Sequence, residues 1–252
     1  MQAGILHRDL SLSNIMHRII REQNSVGVVE EKICRVLTDF DLASWTEDLK
    51  RDDSETLQRM GMSPFMAYKL LRGSDILHLY RHNLESLFYI MLILAIQYEI
   101  QLPTSEEEGG LRMQQGLRKL PYQRWFNQPL YETLASLKCS FLSDVVDLNL
   151  SLAFKDFHHW LLHIHRSFEE GINAKRIHKN KLIALQWDQG DGSENEATPG
   201  FDGETLGGNI DYSRLIDPVY GLKGELEGLI ICYNPSRSTS ATKTNGWVDS
   251  AR

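Results

Sequence analysis

Cysteine is scarce. Cys34, Cys139 and Cys232 lie far apart, are odd in number and form no C-x-x-C pair. That pattern argues against a disulfide framework or a zinc knuckle and fits a reducing, intracellular setting, cytoplasm or nucleus. A basic excess is lacking too: Lys and Arg total 27 against 34 Asp and Glu, a formal charge of -7. A dedicated nucleic-acid binder carries a basic face, so no nucleic-acid partner is expected. No long apolar run occurs. The most apolar stretch, residues 87–96, is ten residues long, whereas a bilayer span needs about 20, so no membrane partner is expected. The N-terminus has no charged start followed by an apolar run and does not read as a signal peptide.

What the chain does have is apolar content for one sizeable core, 42% hydrophobic with 9% aromatic. Its acidity is local. Asp188, Asp191, Glu194, Glu196, Asp202, Glu204 and Asp211 fall in a stretch without Lys or Arg and equal the whole net charge.

Short extended pieces come first. Residues 15–20 and 33–37 read as strands, and Asn24, Ser25 and Gly27 between them predict a hairpin. Residues 44–60 read as a surface segment with few apolar anchors. From Asn83 the period becomes helical: Leu84, Leu87, Phe88, Met91, Leu92 and Ala95, with apolar flanks, predict the central buried helix. A loop is expected over 103–110, and helices over 114–120, 130–140, 142–152 and 154–175. The last has Phe157, Trp160, Leu161, Ile164 and Phe168 on one stripe. Beyond Leu185 the Gly, Asp, Glu, Asn and Ser content predicts a mostly disordered tail. The division is therefore residues 1–185 as the folded unit and 186–252 as an acidic, Gly-rich linker and tail.

Residues 7–14 read H-R-D-L-S-L-S-N, with Asp9 and Asn14 five apart. The pattern resembles the H-R-D-x-x-x-x-N catalytic loop of protein kinases. Asp39-Phe40-Asp41 follows an apolar run, twenty-five residues after Asn14, in the place of a D-F-G metal loop. Such chemistry needs a carboxylate for the acceptor hydroxyl proton, and an amide oxygen and second carboxylate for the metal ions on the phosphates. Asp9, Asn14 and Asp39 supply that set.

The resemblance narrows to the fungal-type protein kinases. Ser11 stands two residues after Asp9, where most protein kinases have Lys, and D-F-D replaces D-F-G. The stretches P-F-M-A at 64–67, H-N-L-E-S-L-F-Y at 82–89 and F-D-G-E-T-L-G-G at 201–208 are similar to further motifs of that family. The resemblance implies a mainly α (α+β) fold, the C-terminal large lobe of a protein-kinase-like domain with a short β-hairpin beside the catalytic loop. It implies ATP and magnesium as cofactors and a protein Ser/Thr hydroxyl as acceptor. Asp9 is the expected base, Asn14 and Asp39 the magnesium ligands, and His7 and Arg8 the braces of the loop. Ser11 leaves the transferring phosphate without its usual Lys, so a small-molecule acceptor is a minor alternative.

Only six residues precede His7, and no G-x-G-x-x-G occurs in the chain. The small lobe that supplies the phosphate cover and strand Lys is therefore expected to be missing, and the 252 residues are expected not to turn over ATP at an ordinary kinase rate. A truncated, inactive lobe acting as a binding module, or a gene-model fragment, is the main rival, with a small-lobe or scaffold partner. Three positions depart from the family: Met62 for a Thr that braces the catalytic Asp, Lys69 for a Glu that closes the activation segment, and Asn83 for an Asp that accepts catalytic-loop N–H groups.

Weaker signals are the histidines His158, His159, His163 and His165, and the pair His78 and His82, all read as partly exposed helix faces rather than metal ligands. The basic run Arg166, Lys175, Arg176, Lys179 and Lys181 reads as a solvated helix end. Ser44, Thr46, Ser54 and Thr56 are candidate phosphorylation sites, with Arg8 as the partner of a phosphate.

Overall fold

The computed structural model describes residues 4–23, 27, 29–46, 61–73, 76–101, 112–115, 122–144, 147–188 and 200–221. The chain opens with β1 (Ile5–Leu6), a 3-10 turn (Leu12–Asn14), β2 (Ile15–Gln23), β3 (Val29–Leu37) and β4 (Ser44–Trp45). Then follow α1 (Tyr68–Arg72), α2 (Tyr80–Gln97), β5 (Tyr98–Gln101), β6 (Arg112–Gln115), α3 (Gln123–Asn127) and α4 (Tyr131–Ser143). A second 3-10 turn (Leu152–Phe157), α5 (His158–Asp188) and α6 (Tyr212–Gly221) complete the order. The described fold is mainly helical, with three small antiparallel sheets.

β2 and β3 form the expected hairpin, in register from Ile15↔Leu37 to Gln23↔Val29. Branched Ile15, Ile19 and Ile20 suit the pleat, and Gly27 takes the left-handed conformation (φ +85°) in the connection. β1 pairs with β4 through Ile5↔Trp45 and Leu6↔Ser44. This closes the segment between them into a loop around the site.

α2 is the predicted central helix. Thirteen of its eighteen residues are buried, so it has no continuous solvent face, as expected of a helix apolar nearly all round. Around it α4 and α5 contribute Leu134, Ala135, Leu142, Leu161, Ile164 and Phe168 to one core. Phe88 of α2 stacks between Phe141 and Phe168, with ring centroids at 6.2 and 5.8 Å. Trp125 of α3 meets Tyr89, Tyr122 and Phe141 edge-on or tilted at 4.8–5.4 Å. Aromatic pairs at such distances add to the stabilisation from area burial alone.

Four sequence expectations change. Gln114 and Gln115, read as helical, lie in β6, held by pairing to β5, which continues directly from α2; residues 116–120 lie outside the described residues, as does the loop expected over 103–110. Among the described residues, the helix expected over 142–152 does not form. α4 ends at Ser143, where the Asp144 N–H donates to the Ser140 carbonyl and the Ser140 hydroxyl to the Asp144 carboxylate. The chain then runs to Ser151, whose N–H donates to Ala95 O of α2 at 2.9 Å, so Leu148 reaches the core from a loop. The long helix begins at His158 and continues past Lys175 to Asp188, because residues 174–188 contain many good helix formers and no Gly or Pro.

The fourth change concerns the tail. Residues 200–221 are folded rather than disordered, whereas residues 189–199 and 222–252 lie outside the described residues. Leu206, Ile210 and Leu215 enter the main core. Arg81 donates from Nε to Gly203 O at 2.7 Å, and Trp160 from Nε1 to Leu215 O at 2.7 Å. Composition missed this because the anchors are a few apolar residues spaced among turn formers.

The dock depends on a glycine in mid-helix. A Cβ on Gly171 would sit 2.8 Å from Leu206 Cβ and 3.3 Å from Asn209 Cβ, so α5 and the tail approach too closely for any side chain. Gly171→Ala gains about 1 kcal/mol of helix propensity, but the clash is with atoms next to the backbone and costs about 1–3 kcal/mol. The expected outcome is a net loss of stability in urea unfolding, with increased proteolysis near Leu206. A more stable variant would contradict the close packing.

Candidate active site

The site is built on the turn between β1 and β2. Arg8 adopts a left-handed backbone (φ +68°), as does Asp39 (φ +62°), a conformation uncommon for non-glycine residues that collects at functional sites. The 3-10 turn at Leu12–Asn14 reverses the chain, and the Asn14 N–H donates to Ser11 O. The turn is held from inside by Asn14, whose Nδ2 donates to the Asp9 carbonyl at 2.9 Å and lies 3.5 Å from the Asp9 carboxylate. Committing Nδ2 in this way fixes the amide, so Oδ1 points elsewhere as an acceptor. Thr38 N–H donates to Asn14 O at 2.9 Å, and His7 Nε2 donates to Thr38 O at 2.8 Å. These two bonds bring the chain at Asp39, next to Thr38, against the turn that carries Asp9 and Asn14. The His7 ring also meets Phe40 edge-on at 4.7 Å.

Asp9 has a further support. The Met62 backbone N–H donates to Asp9 Oδ1 at 3.2 Å. The Met62 side chain cannot replace the hydroxyl expected there, but the main chain provides a donor. Gly61 permits the approach: its φ is +112°, and a Cβ would lie 3.2 Å from Asp9 Oδ1 and 3.4 Å from Arg8 O.

The other candidates are placed as follows. Arg8 is buried and donates from Nη1 to Ser44 Oγ at 2.9 Å. This joins the expected phosphate partner to one candidate phosphorylation site, whereas Ser54 and Thr56 lie outside the described residues. Burial lowers the Arg8 pKa. Ser11 is fully buried, its hydroxyl 2.8 Å from that of the exposed Ser13, which in turn donates to Asn14 Oδ1 at 3.4 Å. Asn83 accepts from His78 Nε2 at 3.0 Å. Lys69 is half-buried, and burial with the nearby Arg72 and Arg81 lowers its pKa.

His78 and His82, expected on a partly exposed helix face, are buried, with ring centroids 5.6 Å apart. His82 Nδ1 accepts the Leu79 N–H, which turns the chain into α2. Burial pushes the His78 pKa down to about 4 and that of His82 well below the usual histidine range. His163 and His165 donate to the carbonyls of Arg214 and Phe141. Among the described residues no group of three His, Cys, Asp or Glu has metal-binding geometry.

Sequence reading missed a buried charge network behind the site. Glu85 accepts the Tyr68 N–H and the Tyr89 hydroxyl, both at 2.7 Å. Burial raises its pKa, against the pull of those two bonds and of Arg81 and Lys138. Lys138 is fully buried in α4, and burial lowers its pKa to about 7, opposed by Glu85. A signal existed: Lys138 falls on the same helical stripe as Leu134, Ala135 and Leu142, where every other member is apolar.

The donor set fits the implied magnesium, which takes hard oxygen ligands such as the Asn14 amide oxygen and the Asp39 carboxylate. Turn, carboxylate and amide are thus brought together at one place. Residues 1–95 match the family described as fungal protein kinase, as the motifs between Gly4 and Tyr89 led one to expect. The match covers β1 to β4, α1 and most of α2; the motif at 201–208 lies beyond it. No match is found among curated proteins or among solved structures. Among the described residues no helix is long and apolar enough to cross a membrane.

Proposed function

We propose that this chain carries the acceptor side of an ATP-dependent protein kinase, directing phosphoryl transfer to a Ser/Thr hydroxyl. The observation that carries the reading is the Asp9–Asn14–Met62 arrangement. A carboxylate is held by a side-chain amide and a main-chain N–H beside a turn that projects an oxygen acceptor. Asp9 takes the proton of the acceptor hydroxyl as its oxygen bonds to the transferring phosphorus. Asn14 Oδ1 and the Asp39 carboxylate are the groups that would hold magnesium, which when bound neutralises phosphate charge. His7 and Arg8 position the loop, through Thr38 and Ser44. Ser11 is buried, so it contributes through the turn rather than by touching phosphate.

A second reading is favoured by a separate observation. Met16, Val29, Phe40, Trp45 and Met62 are each half or more exposed or close to it, on the hairpin and around the site. Such a surface suits a binding module that is itself inactive, and no G-x-G-x-x-G occurs in the 252 residues.

The two readings part in one assay. Residues 1–252 are incubated with magnesium-ATP and a generic protein acceptor, beside Asp9→Ala. The kinase reading expects slow transfer, far below ordinary kinase rates, that falls about 100-fold or more in the variant, the usual contribution of a general base. Transfer equal in both proteins, or none in either, supports the binding module instead.

A further inference from the structure

The buried lysine of α4 has a use beyond packing. The strap from Met62 to Tyr68 joins the site to the helical core, and it is a closed turn: Phe65 N–H and Met66 N–H both donate to Met62 O, at 2.9 and 3.1 Å. Two of its other carbonyls, those of Ser63 and Met66, face α4. Lys138 Nζ donates to Met66 O at 2.6 Å and to Ser63 O at 3.1 Å. The same nitrogen lies 4.4 Å from the Tyr89 ring centroid and 5.3 Å from that of Trp125. At the far end of the strap Tyr68 N–H is held by Glu85. At the near end Met62 N–H is left to donate to Asp9.

Burying an amine completely is costly, and an apolar side chain of similar length would stabilise the helix packing as well or better. What an apolar residue cannot do is tie two carbonyls of a non-repetitive segment to α4. With Ser63 and Met66 fixed, and with both N–H groups of the turn closed on Met62 O, the Met62 main chain has little freedom. The N–H on Asp9 is then held in place by an atom in the core.

We propose that Lys138 is a positioning residue for Asp9: through the Ser63 and Met66 carbonyls it fixes the strap that presents the Met62 N–H to the Asp9 carboxylate. The functional consequence rests on the kinase reading above, whereas the mechanical coupling does not. Core and catalytic carboxylate are thereby linked across α4, the strap and Met62, without any side chain of the strap taking part.

The test is amide hydrogen exchange on the full 252-residue chain and on Lys138→Met, which keeps the length and removes the donors. The expected result is local. The Met62, Phe65 and Met66 amides exchange at least about 10-fold faster relative to those of Ile164 and Phe168 in α5, the factor for losing a hydrogen bond from a charged donor. The Met62 amide proton also moves upfield as its bond to Asp9 is lost. A uniform acceleration across strap and α5, or no change at the strap, overturns the proposal.

Should Lys138→Met fail to fold, exchange of the unaltered chain in low urea decides. The Met66 amide and the Leu134 amide of α4 are then expected to open as one unit. Opening of the strap at lower urea, with α4 still closed, overturns the proposal. No nucleotide enters either experiment, so their failure and the failure of the phosphoryl-transfer assay are distinguishable.

Discussion

Glu85→Leu is expected to destabilise the chain by about 3–5 kcal/mol, the range for breaking a buried charge network by removing one member. Glu85 is buried in α2 and its Oε1 takes both the Tyr68 N–H and the Tyr89 hydroxyl. Leucine leaves both donors without an acceptor inside the core, each at about 1–3 kcal/mol. It also removes the negative charge that Arg81 and Lys138 face. Glu85→Gln keeps an oxygen acceptor and loses only the charge, so it costs less, roughly 1–2 kcal/mol. The double variant Glu85→Leu with Lys138→Met is expected to be less destabilised than the sum of the two singles, because each removes a buried group that the other exposes to an unmatched environment. Urea unfolding midpoints of the four proteins check this. A Glu85→Leu protein within about 1 kcal/mol of the parent would show that the network is not coupled to folding.

The same network explains what could be read from the sequence and what could not. The β2–β3 hairpin and α2 were legible because their signals are local: branched residues bounded by Asn24, Ser25 and Gly27 in one case, and an apolar run at helical spacing in the other. The turn that carries Asp9 and Asn14 is marked by a motif, but its supports are not. Met62 holds Asp9 through the main chain, and a main-chain donor leaves no trace in residue identity. Gly61 leaves a trace, since only glycine takes φ +112° there without strain and without crowding Asp9.

His78 and His82 were expected on a partly exposed helix face because polarity suggests exposure, yet both turn inward to build the entry to α2. Lys138 was hidden for the same reason, although its place on an apolar stripe was visible. The tail at 200–221 failed in the opposite sense. Its composition suggests disorder, but Gly171 allows the approach of Leu206, and Arg81 and Trp160 fix its carbonyls. In each failure the deciding partner lies far away in sequence, where no local pattern can show it.

Acid is expected to unfold this chain well above the carboxylate range, and histidine is the reason. His78 donates from Nε2 to Asn83 Oδ1 in a buried setting, and desolvation holds its pKa down to about 4. In the unfolded chain the same ring titrates near 6.5. Since the folded value is depressed, the stabilisation is fully present above pH 6.5 and is lost as pH falls toward 4, because the unfolded state takes up a proton that the folded state refuses. Between pH 7.5 and 5 this linkage amounts to about 2 kcal/mol from His78 alone. His82, held further down by burial and by Arg81 and His78, adds a loss of the same sign. Glu85 acts in the opposite direction, because its raised pKa lets the folded state bind a proton before the unfolded state does. Lys138 acts mainly above this window, between about 7 and the ordinary lysine value, where stability falls as pH falls. The measurement is the urea midpoint at pH 7.5 and pH 5, for the parent and for His78→Gln. Glutamine keeps an N–H for Asn83 and cannot titrate. Its unfolding free energy is expected to change by about 2 kcal/mol less over that interval than the parent's. Equal changes in the two proteins would show that His78 is not what couples folding to acid.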